Sequence, residues 1–184
     1  MKKIINNSKN LTEDKIDRTV NKVRAVILNK KGHILAAKYA GMFMLIGGSI
    51  EDGEDEVVAL KREITEETGI EDIAVDEEGP FLEINDLRTN YYDWKAGRPI
   101  NRQTNTKFYF VTTNEEEINL EKTHRTEHEK DMNFTPFFVN PSVLEQMAIE
   151  TPSDNPKNEV FKKELLTVLR EFAQYRKEKE DIQK

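Results

Sequence analysis

The sequence predicts a mixed α/β domain in which helices pack on a sheet. Three observations carry that expectation. Runs of β-branched and aromatic residues precede, separate and follow the helical stretches. The helical stretches repeat their apolar residues at spacings of three and four. The chain has 184 residues, long enough for one domain with a real core and short for two.

The elements follow in order. Residues 1–20 are polar, with few periodic apolar positions, and are expected to form an arm with at most a short edge strand. A single domain is expected over residues 21–176. Val23–Leu28 and His33–Tyr39 are strand candidates, and Asn29-Lys30-Lys31-Gly32 between them is turn chemistry, which makes a hairpin. Met42–Ile46 is a short apolar run closed by Gly47-Gly48. Asp55–Thr68 spaces Val57, Leu60 and Ile64 as on one helix face, and Gly69 is a stop signal. Ile73–Val75 and Phe81–Ile84 are weak strand candidates, whereas Lys107–Thr112 is rich in strand formers. Asn114–Lys130 reads as a charged loop around Ile118–Leu120, and Phe134–Val139 as a last strand. Pro141–Ile149 opens a helix with proline near its start. Residues 151–157 read as a linker. Asn158–Tyr175 is an additional C-terminal helix with Phe161, Leu165, Val168, Leu169 and Phe172 on one face. Residues 177–184 form a charged tail expected to fray.

Composition removes several classes of function. No apolar run approaches the ~20 residues of a membrane helix, so no membrane partner is expected. The chain has no cysteine, which excludes disulfides, thiolate zinc sites and cysteine nucleophiles. A net charge of −7 argues against a broad phosphate-binding surface, so no DNA partner is expected. Lys2 and Lys3 have no apolar stretch behind them, so a secretory signal is not expected and the cytoplasm is.

The chemistry concentrates in Gly48–Ile70, GSIEDGEDEVVALKREITEETGI. At about 100° per residue, Val57, Leu60, Ile64 and Thr68 share one helix face. Glu56, Glu63 and Glu67 share the adjacent face, with Glu66 at its margin. Each close like-charge pair costs about 0.2–0.5 kcal/mol. Glu66 and Glu67 also stand in the last turn, where the helix dipole disfavours anions. A bound hard cation relieves both conflicts, and clustered carboxylates suit Mg²⁺ or Mn²⁺. E-x-x-E-E alone would read as a solvated acidic face. The glycines, glutamate and arginine at set distances around it oppose that reading.

Those distances resemble the Nudix box: Gly, five residues, Glu, seven residues, then Arg-Glu-aliphatic-any-Glu-Glu-any-Gly-aliphatic. Gly48, Glu54, Arg62, Glu63, Ile64, Glu66, Glu67, Gly69 and Ile70 meet every defined position, within 23 of the 184 residues. The resemblance implies an α/β/α sandwich with a mixed sheet. It implies a Mg²⁺- or Mn²⁺-dependent pyrophosphohydrolase that cleaves a nucleoside diphosphate linked to another moiety. Glu63, Glu66 and Glu67 would be the metal ligands, joined by the carbonyl of Gly47. Arg62 would pair with Glu54 and hold the loop on the helix. The general base would be a box glutamate or an acid of a distant loop. Glu127 and Glu129, in HRTEHEKDMNF, are either that extra ligand or base, or ordinary solvated acids. His124 and His128 read as surface residues of the same loop, and His33 as a hairpin surface residue.

The stretch Leu87–Lys107 sets Arg88, Lys95, Arg98, Arg102 and Lys107 against Asp93 alone, interleaved with Tyr91, Tyr92 and Trp94. Two readings stay open. It is a substrate loop whose cations hold phosphates while an aromatic stacks on a base. Or it is a long hairpin whose aromatics cover the core edge. Tyr39 and Phe43 are further stacking candidates. The alternatives to a small-molecule hydrolase are an RNA 5′-end pyrophosphohydrolase and a non-catalytic nucleotide-sensing module, although sensing modules usually lack box acids. The helix from Asn158 is expected to pack on the core, and a homodimer seam is its other use.

Overall fold

The computed structural model describes residues 1–93, 96–123, 133–152 and 156–182. Its strands are β1 (Lys2–Asn6), β2 (Arg18–Asn29), β3 (Ile34–Tyr39), β4 (Met42–Leu45), β5 (Ile73–Asp93), β6 (Arg98–Thr113) and β7 (Thr135–Val139). Its α-helices are α1 (Glu56–Thr68), α2 (Pro141–Glu150) and α3 (Pro156–Ile182). The strands form one sheet in the order β1-β5-β6-β2-β3-β4, with β7 also on β3. The sheet is mixed: β1 on β5 and β2 on β6 run parallel, and the other pairs are antiparallel.

Alternation along β2 divides the core into two layers. Val23, Ala25 and Ile27 pack with Ala59, Leu60 and Ile64 of α1. Val26 and Leu28 pack with Leu144 of α2 and with Leu165, Val168 and Phe172 of α3. This is the expected α/β/α sandwich. The apolar face of α3 lies on the sheet, where Phe172 meets Phe81 and Phe110 at centroid distances of 5.5 and 5.2 Å.

One irregularity positions the site. β2 pairs with β3 only at Ile27 and Leu28. Nearer its start, β2 bridges instead from Ala25 to Ile46 and from Lys22 to Ser49. The Gly47-Gly48 backbone is thereby laid along the edge of β2, with the Val23 N–H donating to the Gly48 carbonyl.

The structure makes three expectations definite. Residues 1–20 do not stand outside the domain as an arm. Lys2–Asn6 is a parallel edge strand on β5, and β2 already starts at Arg18. Ion pairs from Lys2 to Glu171 and from Lys3 to Glu83 tie this strand down, through partners that local pattern reading does not reach. The two weak strands after the box and the stretch Leu87–Lys107 form one hairpin, β5 and β6, with bulges near Val75–Pro80 and Arg88–Tyr91. Its outer part reads as polar because the apolar core ends near Ile84. The tail does not fray at 177. α3 continues to Ile182, held where the Tyr175 hydroxyl donates to Asp76 at 2.8 Å and Lys179 pairs with Asp76 at 2.5 Å. Among the described residues, no helix is long and apolar enough to cross a membrane.

Candidate active site

The helix that carries the acids is fixed at both ends. The Asp55 side chain accepts the backbone N–H groups of Val57 and Val58, and Gly69 closes the last turn at φ +70°. Leu60 and Ile64 are buried in the core, so the face bearing Glu63 and Glu67 meets the Gly47-Gly48 backbone.

Glu67 is only 6% exposed, and its Oε2 accepts the Gly47 N–H at 2.9 Å. Glu63 lies against Gly48: a Cβ there would fall 2.3–2.4 Å from its carboxylate atoms. Glycine at 48 is what lets the carboxylate approach the backbone so closely. Arg62 ties the pieces together. Its Nε and Nη2 fork onto Glu54 at 2.9 and 3.0 Å, and Nη2 also donates to the Ser49 carbonyl. Its Nη1 reaches Glu63 at 3.0 Å and Glu66 at 3.1 Å.

The clamp has an electrostatic signature. Hydrogen bonds from Arg62, and one from the Glu51 N–H, hold the Glu54 carboxyl down at about 2. Glu54 and, more weakly, Glu63 raise the Arg62 guanidinium against the opposing effect of burial. A carboxyl depressed in this way contributes stability above its ordinary range and loses it as pH falls towards 2. Arg62→Ala is therefore expected to lower the melting temperature and loosen residues 49–54 at neutral pH. Its deficit should shrink as the solution is acidified through that window, which thermal melts across pH would measure.

Glu56 shares a helix face with the box acids but not their environment. Burial opposes its charge, yet Lys107 at 2.5 Å and the Tyr109 hydroxyl at 2.7 Å outweigh burial and hold its carboxyl below the usual range. Burial and Glu56 together push the Tyr109 hydroxyl up. Among the described residues, no three His, Cys, Asp or Glu side chains stand close enough to hold a metal as placed. Between Glu63 and Glu66 stands the positive charge of Arg62. A cleft of about 790 Å³ opens beside them, lined by Arg18, Asn21, Ser49, Glu54, Arg62 and Glu63 among others.

The other candidates disperse. Glu127, Glu129, Trp94, His124 and His128 lie outside the described residues. Arg88 pairs with Asp86. Arg102 stacks 3.7 Å above the Tyr91 ring. Arg98 lies 3.5 Å from Asp17, and Tyr92 is 47% exposed. Tyr39 and Phe43 meet Phe134 and Phe137 edge-on, which places them at the core rim.

Sequence reading passed over Lys22 and Arg24. Two cations two positions apart in a strand share a face, and that was the available signal. Arg24 is buried, donates to the Leu45 carbonyl at 2.7 Å and lies 3.8 Å from Glu164 of α3. Lys22 is half-buried, and burial, then Arg24 and Arg102, lower its ammonium to about 8.

A family model described as NUDIX domain matches residues 18–138. No curated protein matches the chain in sequence. Among solved structures, a binary complex of Ap4A hydrolase from C. elegans is similar at TM-score 0.53 and 19% identity, over 85% of this chain and 96% of that one. The E. coli ORF135 protein is similar at TM-score 0.51 and 18% identity, over 86% and 91%. A MutT protein from Methanosarcina mazei Go1 is similar at TM-score 0.50 and 16% identity, over 86% and 96%. At these identities the shared property is the fold.

Proposed function

This chain belongs to the Nudix family, hydrolases of phosphoric anhydride bonds, and we propose that it is a Mg²⁺-dependent pyrophosphohydrolase acting in the cytoplasm on a small nucleoside diphosphate derivative. One observation supports this most: the carboxylates of Glu63 and Glu67 lie at the Gly47-Gly48 backbone, and Arg62 links Glu66 to Glu63.

The donor types fit a hard divalent cation. Every donor in the set is a carboxylate or carbonyl oxygen, and the chain offers no thiolate. Glu63, Glu66 and Glu67, with the Gly47 carbonyl, would hold the ion. When bound, Mg²⁺ offsets the charge of a diphosphate and makes a coordinated water more acidic. The protein's own part is to position and to move a proton. Glu54 and the Ser49 carbonyl anchor Arg62, so the loop and the acids keep a fixed relation. A carboxylate of the box, or one of the loop before Phe134, takes the proton as water attacks phosphorus. Nearby cationic side chains stabilise the charge that develops on the departing oxygen.

The test is phosphate release from nucleoside triphosphates, nucleotide sugars, ADP-ribose, dinucleoside polyphosphates and 5′-triphosphate RNA, with Mg²⁺ and with EDTA. Turnover of a small nucleotide class only with Mg²⁺ is expected. Silence across the panel from a folded, Mg²⁺-binding chain would contradict the proposal.

A further inference from the structure

Beside the box, carboxamide side chains form a chain of hydrogen bonds across two strands. Strand alternation puts Asn21 on the same face of β2 as Val23, Ala25 and Ile27, the face that packs on α1. The parallel register sets Asn105 of β6 level with Asn21, and Gln103 stands two positions before it on the same face. Gln103 Nε2 donates to Asn105 Oδ1 at 2.7 Å, and Asn105 Nδ2 donates to Asn21 Oδ1 at 3.0 Å. The chain ends at Asn21, an exposed residue whose Nδ2 has no partner among the described residues.

That end belongs to the cleft beside the acids. Asn21 lines the cleft of about 790 Å³ together with Glu54, Arg62 and Glu63. Its backbone is pinned to the box loop, since the Ile50 N–H donates to the Asn21 carbonyl at 3.0 Å. Val23, whose N–H donates to the Gly48 carbonyl, lies two residues along β2, so Asn21 stands about 7 Å from that contact. A nucleotide spans a step of that order between its 5′-phosphate and its base. Charge decides which part of a substrate reaches Asn21. The cleft wall carries Glu51, Asp52, Glu54, Glu56 and Glu63, while Arg18 is engaged by Asp93 and Arg62 by the box acids. Phosphate is repelled there except where a cation at the box offsets the acids, whereas an uncharged base is not. A carboxamide held at one end by its neighbour presents the other end in a fixed sense, which suits it to a base edge.

We propose that Asn21 donates from Nδ2 to the base of the substrate, with Asn105 and Gln103 as positioning residues that fix its orientation. The partner is a base with a carbonyl edge, guanine or uracil. Adenine and cytosine carry an amino group at the matching position, which leaves two donors facing each other. The inference rests on the pyrophosphohydrolase reading and narrows its substrate class to nucleotides of keto bases.

The experiment compares the full chain with Asn21→Asp, Asn21→Ala and Asn105→Ala. Heteronuclear NMR titration follows inosine and uridine against adenosine and cytidine, which carry no phosphate and need no cation. The wild type should bind the keto nucleosides about 5- to 10-fold more tightly, the size of one hydrogen bond. Asn21→Ala should erase that preference. Asn21→Asp, whose free oxygen only accepts, should reverse it towards adenosine and cytidine. Asn105→Ala frees the Asn21 amide to turn, so the preference should shrink without reversing. A merely structural role for the chain would move the melting temperature and leave these ratios alone. With Mg²⁺ and the nucleoside triphosphates of the four bases, the ratios of kcat/KM should follow the same order. Equal binding of keto and amino nucleosides by the wild type would overturn the inference, as would a preference unchanged in Asn21→Asp. Mg²⁺-dependent turnover without nucleoside binding would overturn the base contact and spare the hydrolase reading. Absence of all Mg²⁺-dependent turnover, with the nucleoside preference and its reversal intact, would overturn the hydrolase reading and leave the base contact standing.

Discussion

Glu67→Gln lowers kcat at least about 100-fold while the chain folds and melts like the wild type, if the box acids do the chemistry proposed for them. The substitution is nearly isosteric. A glutamine oxygen still accepts the Gly47 N–H that Glu67 accepts at 2.9 Å. What disappears is one negative charge at a site only 6% exposed. Removing a buried charge does not of itself destabilise a fold. The loss therefore falls on turnover, and steady-state kinetics beside a thermal melt separate the two effects. Glu66→Gln should behave likewise. Wild-type turnover in both variants would remove the catalytic assignment.

The second large effect comes from two neighbouring glycines with opposite consequences. Gly47 stands at φ +132°, and a Cβ there would fall 2.2 Å from the Val23 carbonyl oxygen and 2.7 Å from the Arg24 Cα. Both atoms are sheet backbone and cannot step aside, so Gly47→Ala should cost about 2–4 kcal/mol in denaturant unfolding. The three atoms nearest a Cβ at position 48 all belong to the Glu63 carboxylate, the far end of a flexible side chain. That side chain can swing away, so most of the stability should survive and activity should not. A stable, fully active Gly48→Ala would show that Glu63 need not sit at this backbone.

The box helix was legible because its signals are local. The Asp55 cap, the Gly69 stop and the spacing of Leu60 and Ile64 all act within a few residues of one another. Glu54 and Arg62 were legible for the same reason, eight residues apart and bonded through two nitrogens. The helical wheel could not separate Glu56 from Glu63 and Glu67. What separates them is Lys107 and Tyr109 on β6, whose register against α1 no local pattern encodes. The N-terminal strand is legible only as an unplaced edge strand, for a related reason. Lys2 finds Glu171, 169 residues away, and the strand buries too little to show a period. In Leu87–Lys107 the cations and aromatics are partly one another's partners, as with Arg102 on Tyr91. Composition does not reveal such pairing.

In the proposed function Glu63, Glu66 and Glu67 gather a divalent cation at Gly47-Gly48. Mn²⁺ uptake followed by electron paramagnetic resonance tests it most directly, in the wild type and in the three single Glu→Gln variants. The wild type should bind Mn²⁺ in competition with Mg²⁺, and each variant should lose at least about 10-fold in affinity without unfolding. Mn²⁺ binding unchanged in all three would contradict the claim.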